Sequence, residues 1–318
     1  MKKEVRLLSL AVLLTLMVFL SACKSIASPG IAVTAPPGTT GTTLPTQQST
    51  EATTLPEVPT QPQTEPTTHS TEPEDNSDPY IGALYTLSQL QALDNTLHNF
   101  GSGRNYNTER PGASVNFQSQ FGELNAAFIA EDVPTVYLTF DCGYEYENTT
   151  AEILDVLKSK NVKAVFFLSM HYCQSQPQLV QRMIDEGHII GNHTNKHYNL
   201  TELDIEQVVY EIMSLHDYVK ENFGYEMTLF RPPSGQFSAR VLAIAQSLGY
   251  RSVFWSFAYR DWETDAQPEI QDAFQAVSSC AHNGCIYLLH SVSRTNAEIL
   301  GGIIDDLQNR GYTIALFA

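Results

Sequence analysis

Thr139-Phe140-Asp141-Cys142-Gly143-Tyr144-Glu145 is the stretch on which the reading of this chain turns. It continues the apolar, alternating run Val136-Tyr137-Leu138, so Asp141 falls where a strand ends and a loop begins. A carboxylate in that position stands at the mouth of a fold, where it can meet a substrate. An Asp close to a Gly also ends strands as a plain turn, so the remainder of the chain has to decide between the two.

Downstream the pattern is regular. Strands are expected at 135–140, 163–168, 188–191, 227–230, 252–257, 285–289 and 312–317, and helices at 149–160, 176–187, 202–222, 237–248, 268–281 and 295–310. Strands alternating with helices of this length build parallel βαβ units, which places the chain in the α/β class. Thr201, three residues before Asp204, is read as the cap of the long helix, whose Ile205, Val208, Val209, Ile212, Leu215 and Val219 share one core-facing stripe. Gly224, Gly249 and Gly311 fall just past helices, where a left-handed residue ends them cheaply. Upstream, Leu84 to Asn99 reads as a short helix, Gly101 to Pro111 as a loop, and the segment to Asp132 as a flap over the main fold.

On this layout Asp141 follows the first strand, His193 and His197 the third, Arg231 the fourth, Asp261 the fifth and His290 the sixth. The carboxyl ends of parallel strands converge on one face, and that face carries the active site in barrel enzymes. Chance scatters one or two such residues there; a full acid, base and ligand set argues for an enzyme. His193 and His197, four residues apart after a strand and Gly191-Asn192, suit a divalent cation, although His pairs at this spacing are more often a solvated face. In Arg231-Pro232-Pro233-Ser234-Gly235 the two prolines lack an N–H, so the Ser234 amide is the first donor available to an oxyanion. Trp262, Tyr259 and Trp255 offer apolar surface to a sugar face, as they equally would to a core.

The other end of the chain is of a different kind. Lys2, Lys3 and Arg6 precede an apolar run from Leu7 to Leu20 that is short for a membrane span and has the build of a secretory signal. It closes on Leu20-Ser21-Ala22-Cys23, similar to the lipobox of bacterial lipoproteins, in which the Cys is lipidated. Residues 1–23 are therefore expected to be a lipoprotein-type signal peptide that carries the rest out of the cytoplasm and anchors it to a membrane through lipid on Cys23. Residues 24–78 form a Thr/Pro/Ser/Gln/Glu tract too poor in apolar residues to offset ordering entropy, expected to be a disordered tether. In polyproline geometry, at about 3.1 Å per residue, it reaches on the order of 150 Å, enough to carry a domain into a surrounding wall. Residues 79–133 are expected as an N-terminal extension of a catalytic domain at 134–318. Part of the net charge of −17 belongs to the tract. So acidic a chain has no electrostatic grip on nucleic acid or anionic lipid, and a neutral or weakly charged substrate fits it better.

Five stretches carry a resemblance: Thr139-Phe140-Asp141-Cys142-Gly143, His193-Thr194-Asn195-Lys196-His197, Arg231-Pro232-Pro233-Ser234-Gly235, Asp261-Trp262 and Leu288-Leu289-His290. Their residue types, order and spacing resemble the five motifs of the polysaccharide deacetylases, carbohydrate esterase family four. The flanking Phe254-Trp255-Ser256-Phe257-Ala258-Tyr259 and Ser291-Val292-Ser293-Arg294-Thr295-Asn296-Ala297 are similar to the muramic-acid deacetylases that act on peptidoglycan in δ-lactam formation. The resemblance implies a distorted (β/α)7 barrel that hydrolyses N-acetyl groups on the amino sugars of cell-wall glycan. It implies Asp141 as base, Arg231 paired with it, Ser234 at the oxyanion, His290 as acid oriented by Asp261, and His193 and His197 as ligands of a divalent metal. The family's usual second Asp, itself a ligand, is replaced here by Cys142. As a thiolate, Cys142 would favour Zn2+, with Co2+ or Mn2+ as further candidates; otherwise it is no ligand at all. Two other readings stand beside this one: an amide or cyclic-imide hydrolase on the same scaffold, and a catalytically silent glycan-binding module. Cys142, Cys173, Cys280 and Cys285 allow three full disulfide pairings, and Cys280–Cys285 would close a short loop.

Overall fold

The computed structural model describes residues 84–103 and 107–318. The expected signal peptide, Cys23 and the tract 24–78 lie outside the described residues. Nine strands form one parallel sheet: β1 Ala126–Ala127, β2 Thr135–Cys142, β3 Val165–Leu168, β4 Ile189–Asn192, β5 Leu229–Phe230, β6 Arg251–Val253, β7 Phe257–Ala258, β8 Cys285–His290 and β9 Thr313–Ala315. Their order is β1-β6-β5-β4-β3-β2-β8-β7. Strand β2 lies at the centre: β8 runs along its whole length, from Cys285 opposite Val136 to His290 opposite Asp141. On its other edge β9 pairs with residues 135–137 and β3 with residues 139–142.

Helices α1 Leu87–Ala92, α2 Gly112–Phe121, α3 Thr149–Ser159, α4 Met170–Ser175, α5 Pro177–Asp185, α6 Ile205–Phe223, α7 Ala239–Ser247, α8 Ile270–Ser279 and α9 Arg294–Asn309 join the sheet, and His98–Asn99 pairs antiparallel with Gln236–Phe237 apart from it. Among the described residues, no helix is long and apolar enough to cross a membrane. The two-residue period of a strand divides β2 between two environments. Val136, Leu138, Phe140 and Cys142 pack outward with Ile153, Leu157, Phe166 and Leu300 in the main core. Tyr137 turns the other way, toward a second cluster with Val165, Phe167, Leu229, Val253 and Ile286, and Thr139 and Asp141 follow it in phase.

Several boundaries differ from the sequence expectation. The long helix is capped by Asp204, whose carboxylate accepts the Gln207 N–H while Gln207 reaches back to the Asp204 N–H. Thr201 instead belongs to a 3-10 turn over Leu200–Glu202. The strand expected at 252–257 is two strands, β6 and β7, because the chain bends between them. The segment read as a flap joins the sheet: Ala126 and Ala127 pair with Ser252 and Val253. Gly224, Gly249 and Gly311 do take left-handed φ values of 64°, 84° and 88°. Cys285 is a buried thiol, so the Cys280–Cys285 bridge is not formed.

Candidate active site

The carboxyl ends of β2, β4, β5 and β8 surround a cavity of about 720 Å3, whose lining includes Asp141, His193, His197, Ser234, Trp255, Trp262 and His290. Six polar residues singled out at strand ends, Asp141, His193, His197, Arg231, Asp261 and His290, are thus brought together. Arg231 and Asp261 stand behind the lining and hold two of its members.

Arg231 is fully buried, and every arm of its guanidinium is used. Nη1 donates to Asp141 Oδ1 at 2.7 Å, Nη2 to Thr139 Oγ1 at 2.8 Å and to the Phe254 carbonyl at 3.1 Å, and Nε to the Val253 carbonyl at 2.9 Å. The Phe167 ring lies under it, 4.0 Å from the guanidinium carbon. Gly191 makes room for that ring, since a Cβ at 191 would come within 2.4 Å of it. Burial disfavours the Asp141 carboxylate, but Arg231 and His193 beside it more than offset this and hold Asp141 below the usual carboxylate range. Asp141 is therefore an ionised acceptor at neutral pH. Thr139 and Phe167 escaped the sequence reading; the in-phase position of Thr139, two residues before Asp141, was the available signal.

His193 and His197 stand side by side, their ring centroids 4.9 Å apart at 77°. The loop that presents them is strained: Thr194 has φ 68° and His197 φ 58°. A β-branched residue in that region costs on the order of 1–3 kcal/mol. Side chains hold it there, with the Thr194 N–H donating to Asn192 Oδ1 at 2.9 Å and the His197 N–H to Thr194 Oγ1 at 2.9 Å. His193 Nδ1 faces the Arg231 carbonyl at 2.8 Å, and a carbonyl accepts, so Nδ1 carries the proton and Nε2 the lone pair. Burial pushes the His193 imidazole down to about 4, which keeps it neutral.

His193 Nε2 lies 3.5 Å from Asp141 Oδ2. Two acceptors thus face one another beside His197, an arrangement that a cation completes, and the donor set fits a divalent metal carried by two imidazoles. No group of three or more His, Cys, Asp or Glu side chains among the described residues has metal-binding geometry. Cys142 does not supply the third ligand. Being one residue out of phase with Asp141, its side chain sits in the main core with no exposed surface, its Sγ 4.0 Å from the Phe140 carbonyl. Burial raises its thiol pKa far above the ordinary value, so it is no thiolate.

On β8, in register beside Asp141, His290 Nδ1 bonds Asp261 Oδ1 at 2.7 Å, and the His290 backbone N–H donates to Asp261 Oδ2 at 2.8 Å. This leaves Nε2 toward the cavity. Burial works against the imidazolium, but the charge and hydrogen bond of Asp261 outweigh it and raise the His290 pKa. Trp262 lies half-exposed at the rim, edge to face with His290 at 5.5 Å. Ser234 lines the cavity with φ 55°, turned there by Pro232 and Pro233. Tyr259, expected on the sugar, lines an adjoining cavity of about 260 Å3 that shares Gly103 and Ala258 with the first, and its hydroxyl donates to Asn296 Oδ1. Asn296 itself was not singled out as a site residue.

Fold and constellation define a polysaccharide-modifying hydrolase, and comparison with known proteins agrees. Residues 129–253 match the family model for polysaccharide deacetylase. The chain is 42% identical over 228 residues to the peptidoglycan-N-acetylmuramic acid deacetylase PdaA of Bacillus subtilis, covering 71% of this chain and 86% of that protein. The structure of B. subtilis PdaA, a family 4 carbohydrate esterase, superposes with a TM-score of 0.67 at 41% identity, covering 70% of this chain and 96% of that one. A family 4 carbohydrate esterase from Bacillus anthracis gives a TM-score of 0.59 at 37% identity, covering 71% and 96%. The chain belongs to the polysaccharide deacetylase family: its sheet is that of a distorted (β/α)7 barrel, and it is a hydrolase of the carbon–nitrogen bond in acetylated amino sugars.

Proposed function

We propose that this protein removes the acetyl group from N-acetylmuramic acid in peptidoglycan, in a reaction that depends on a divalent metal. The observation that carries the chemistry is the placement of an ionised Asp141 and a His290 of raised pKa in one cavity, beside the paired imidazoles of His193 and His197. Likeness to PdaA over most of the chain supports muramic acid as the sugar.

His193 and His197 would hold the ion, zinc first and cobalt or manganese next, and when bound it would supply polarisation of the acetyl carbonyl and a lowered pKa for the attacking water. Asp141, ionised and fixed by Arg231, takes the proton from water as the oxygen adds to the acetyl carbon. The Ser234 N–H donates to the oxygen that gains charge in the tetrahedral intermediate. His290 then delivers a proton from Nε2 to the sugar nitrogen, the C–N bond breaks, and acetate and a free amine leave. Trp262 presents its face to the sugar at the rim. Lipid on Cys23 and the tract 24–78 would hold this domain near the wall. Acetate released from purified peptidoglycan by full-length protein, abolished by chelation and restored by added zinc, tests the reading; release that continues undiminished after the metal is stripped contradicts it.

A further inference from the structure

Asp261 has no exposed surface, and the helix that closes behind it supplies a donor that the five motifs do not contain. Asn296 lies in the first turn of α9 and is buried. Its Nδ2 donates to Asp261 Oδ2 at 2.6 Å and approaches the His290 carbonyl at 3.3 Å. Its Oδ1 accepts from the Tyr259 hydroxyl. The backbone N–H of Asn296 donates to Ser293 Oγ at 3.1 Å, Ser293 Oγ donates to Gln267 Oε1 at 2.6 Å, and Gln267 Nε2 donates to the Asp261 carbonyl at 2.9 Å. The ring closes on Asp261 from both sides.

The direction of the protons along this chain is fixed by its members that can only accept, the Asp261 carboxylate and the backbone carbonyls of Asp261 and His290. An ionised carboxylate takes hydrogen bonds and gives none. Asn296 must therefore turn its NH2 to Asp261 and its oxygen to Tyr259, so the Tyr259 O–H donates. With Asn296 and the His290 backbone both on Oδ2, Oδ1 is left to His290 Nδ1–H, and the tautomer that presents Nε2 to the cavity follows. A side chain with no amide at 296 removes one of the donors to a buried carboxylate. A carboxylate there sets two like charges together. Without the Tyr259 hydroxyl the amide oxygen loses its donor, and the orientation of the amide rests on Asp261 and the His290 carbonyl alone.

We propose that Tyr259 and Asn296 are positioning residues for proton delivery by His290, acting through Asp261, and that this is the specific role of the first turn of α9. The proposal rests on the deacetylase reading. Neither residue lines the reaction cavity, and both meet the His290–Asp261 pair from behind it.

The test compares two acetyl donors on full-length, metal-loaded protein. An N-acetylated glycan releases an amine that needs a proton; 4-nitrophenyl acetate releases a phenolate that needs none. Tyr259→Phe, which removes one oxygen and keeps the ring, should lower kcat on the glycan by about tenfold with KM unchanged, and Asn296→Leu by about a hundredfold, within the range of an acid–base contribution. In each variant the loss on glycan should exceed the loss on the aryl ester by at least about fivefold, since only the glycan's leaving amine draws on the acid. Equal losses on both donors, as a general loosening of the fold would give, or no loss on glycan, overturn the proposal and leave the deacetylase reading standing. A parent protein that cleaves no N-acetylated glycan overturns that reading and the proposal with it.

Discussion

Arg231 and Asp141 form a buried ion pair, Nη1 to Oδ1 at 2.7 Å, with the arginine's Nη2 and Nε donating to Thr139 and to the carbonyls of Phe254 and Val253. The pair joins β5 to β2 and fixes the carboxylate by one oxygen, which leaves Oδ2 directed at His193.

Removing one partner of such a pair strands the other. Arg231→Met should destabilise the domain by about 3–5 kcal/mol at neutral pH. The pH dependence checks the cause. In the parent the Asp141 pKa lies below its ordinary 3.8, so the pair's contribution is complete above that value and is lost as pH falls through the lower, folded one. In the variant Asp141 protonates more readily, and the difference between the two proteins should shrink as the solution is acidified. Urea unfolding of both across that range is the measurement; a pH-independent difference would refute an electrostatic origin.

His290 titrates in the opposite sense. Its folded pKa is raised above 6.5, through Asp261 overcoming burial. An acid must be protonated, so kcat should persist above pH 6.5 and decline as pH rises through the raised value. Asp261→Asn takes away the charge and should move that alkaline limb downward, besides lowering kcat by about a hundredfold. A limb in the same place would show that His290 does not set it.

Much of this site is legible in the sequence. Asp141, Arg231, Asp261 and His290 could be placed because parallel strands end on one face and because each followed a recognisable strand. What escaped notice depended on side-chain phase and on contacts distant in sequence. Cys142 is adjacent to Asp141, and only the regular pleat, running unbroken to the end of β2, decides that it faces the core. Tyr259 reads as a sugar platform until its hydroxyl is seen on Asn296, 37 residues away. Thr201 and Asp204 both satisfy the local rule for a cap, and the 3-10 turn over 200–202, packed by the buried Leu200, gives the role to Asp204.

The placement of Cys142 makes metal binding indifferent to it. By chelator competition under reducing conditions, Cys142→Ala should bind zinc within about twofold of the parent, whereas His193→Ala should lose at least about tenfold. A tenfold loss in Cys142→Ala would restore the thiol as a ligand.

The lipobox-like Leu20-Ser21-Ala22-Cys23 predicts where the protein resides. Cys23→Ala should release it from the membrane fraction or block its maturation, while the domain keeps its activity. Fractionation identical to the parent would contradict lipid attachment at Cys23.

The central claim concerns one bond, and mass spectrometry of defined peptidoglycan fragments after incubation with the zinc-loaded protein addresses it directly. The account predicts loss of the acetyl group from muramic acid in the parent, with retention in Asp141→Asn and His290→Ala, each at least about a hundredfold slower. Loss from glucosamine alone, turnover in Asp141→Asn close to that of the parent, or fragments left intact with every divalent metal tried would contradict it.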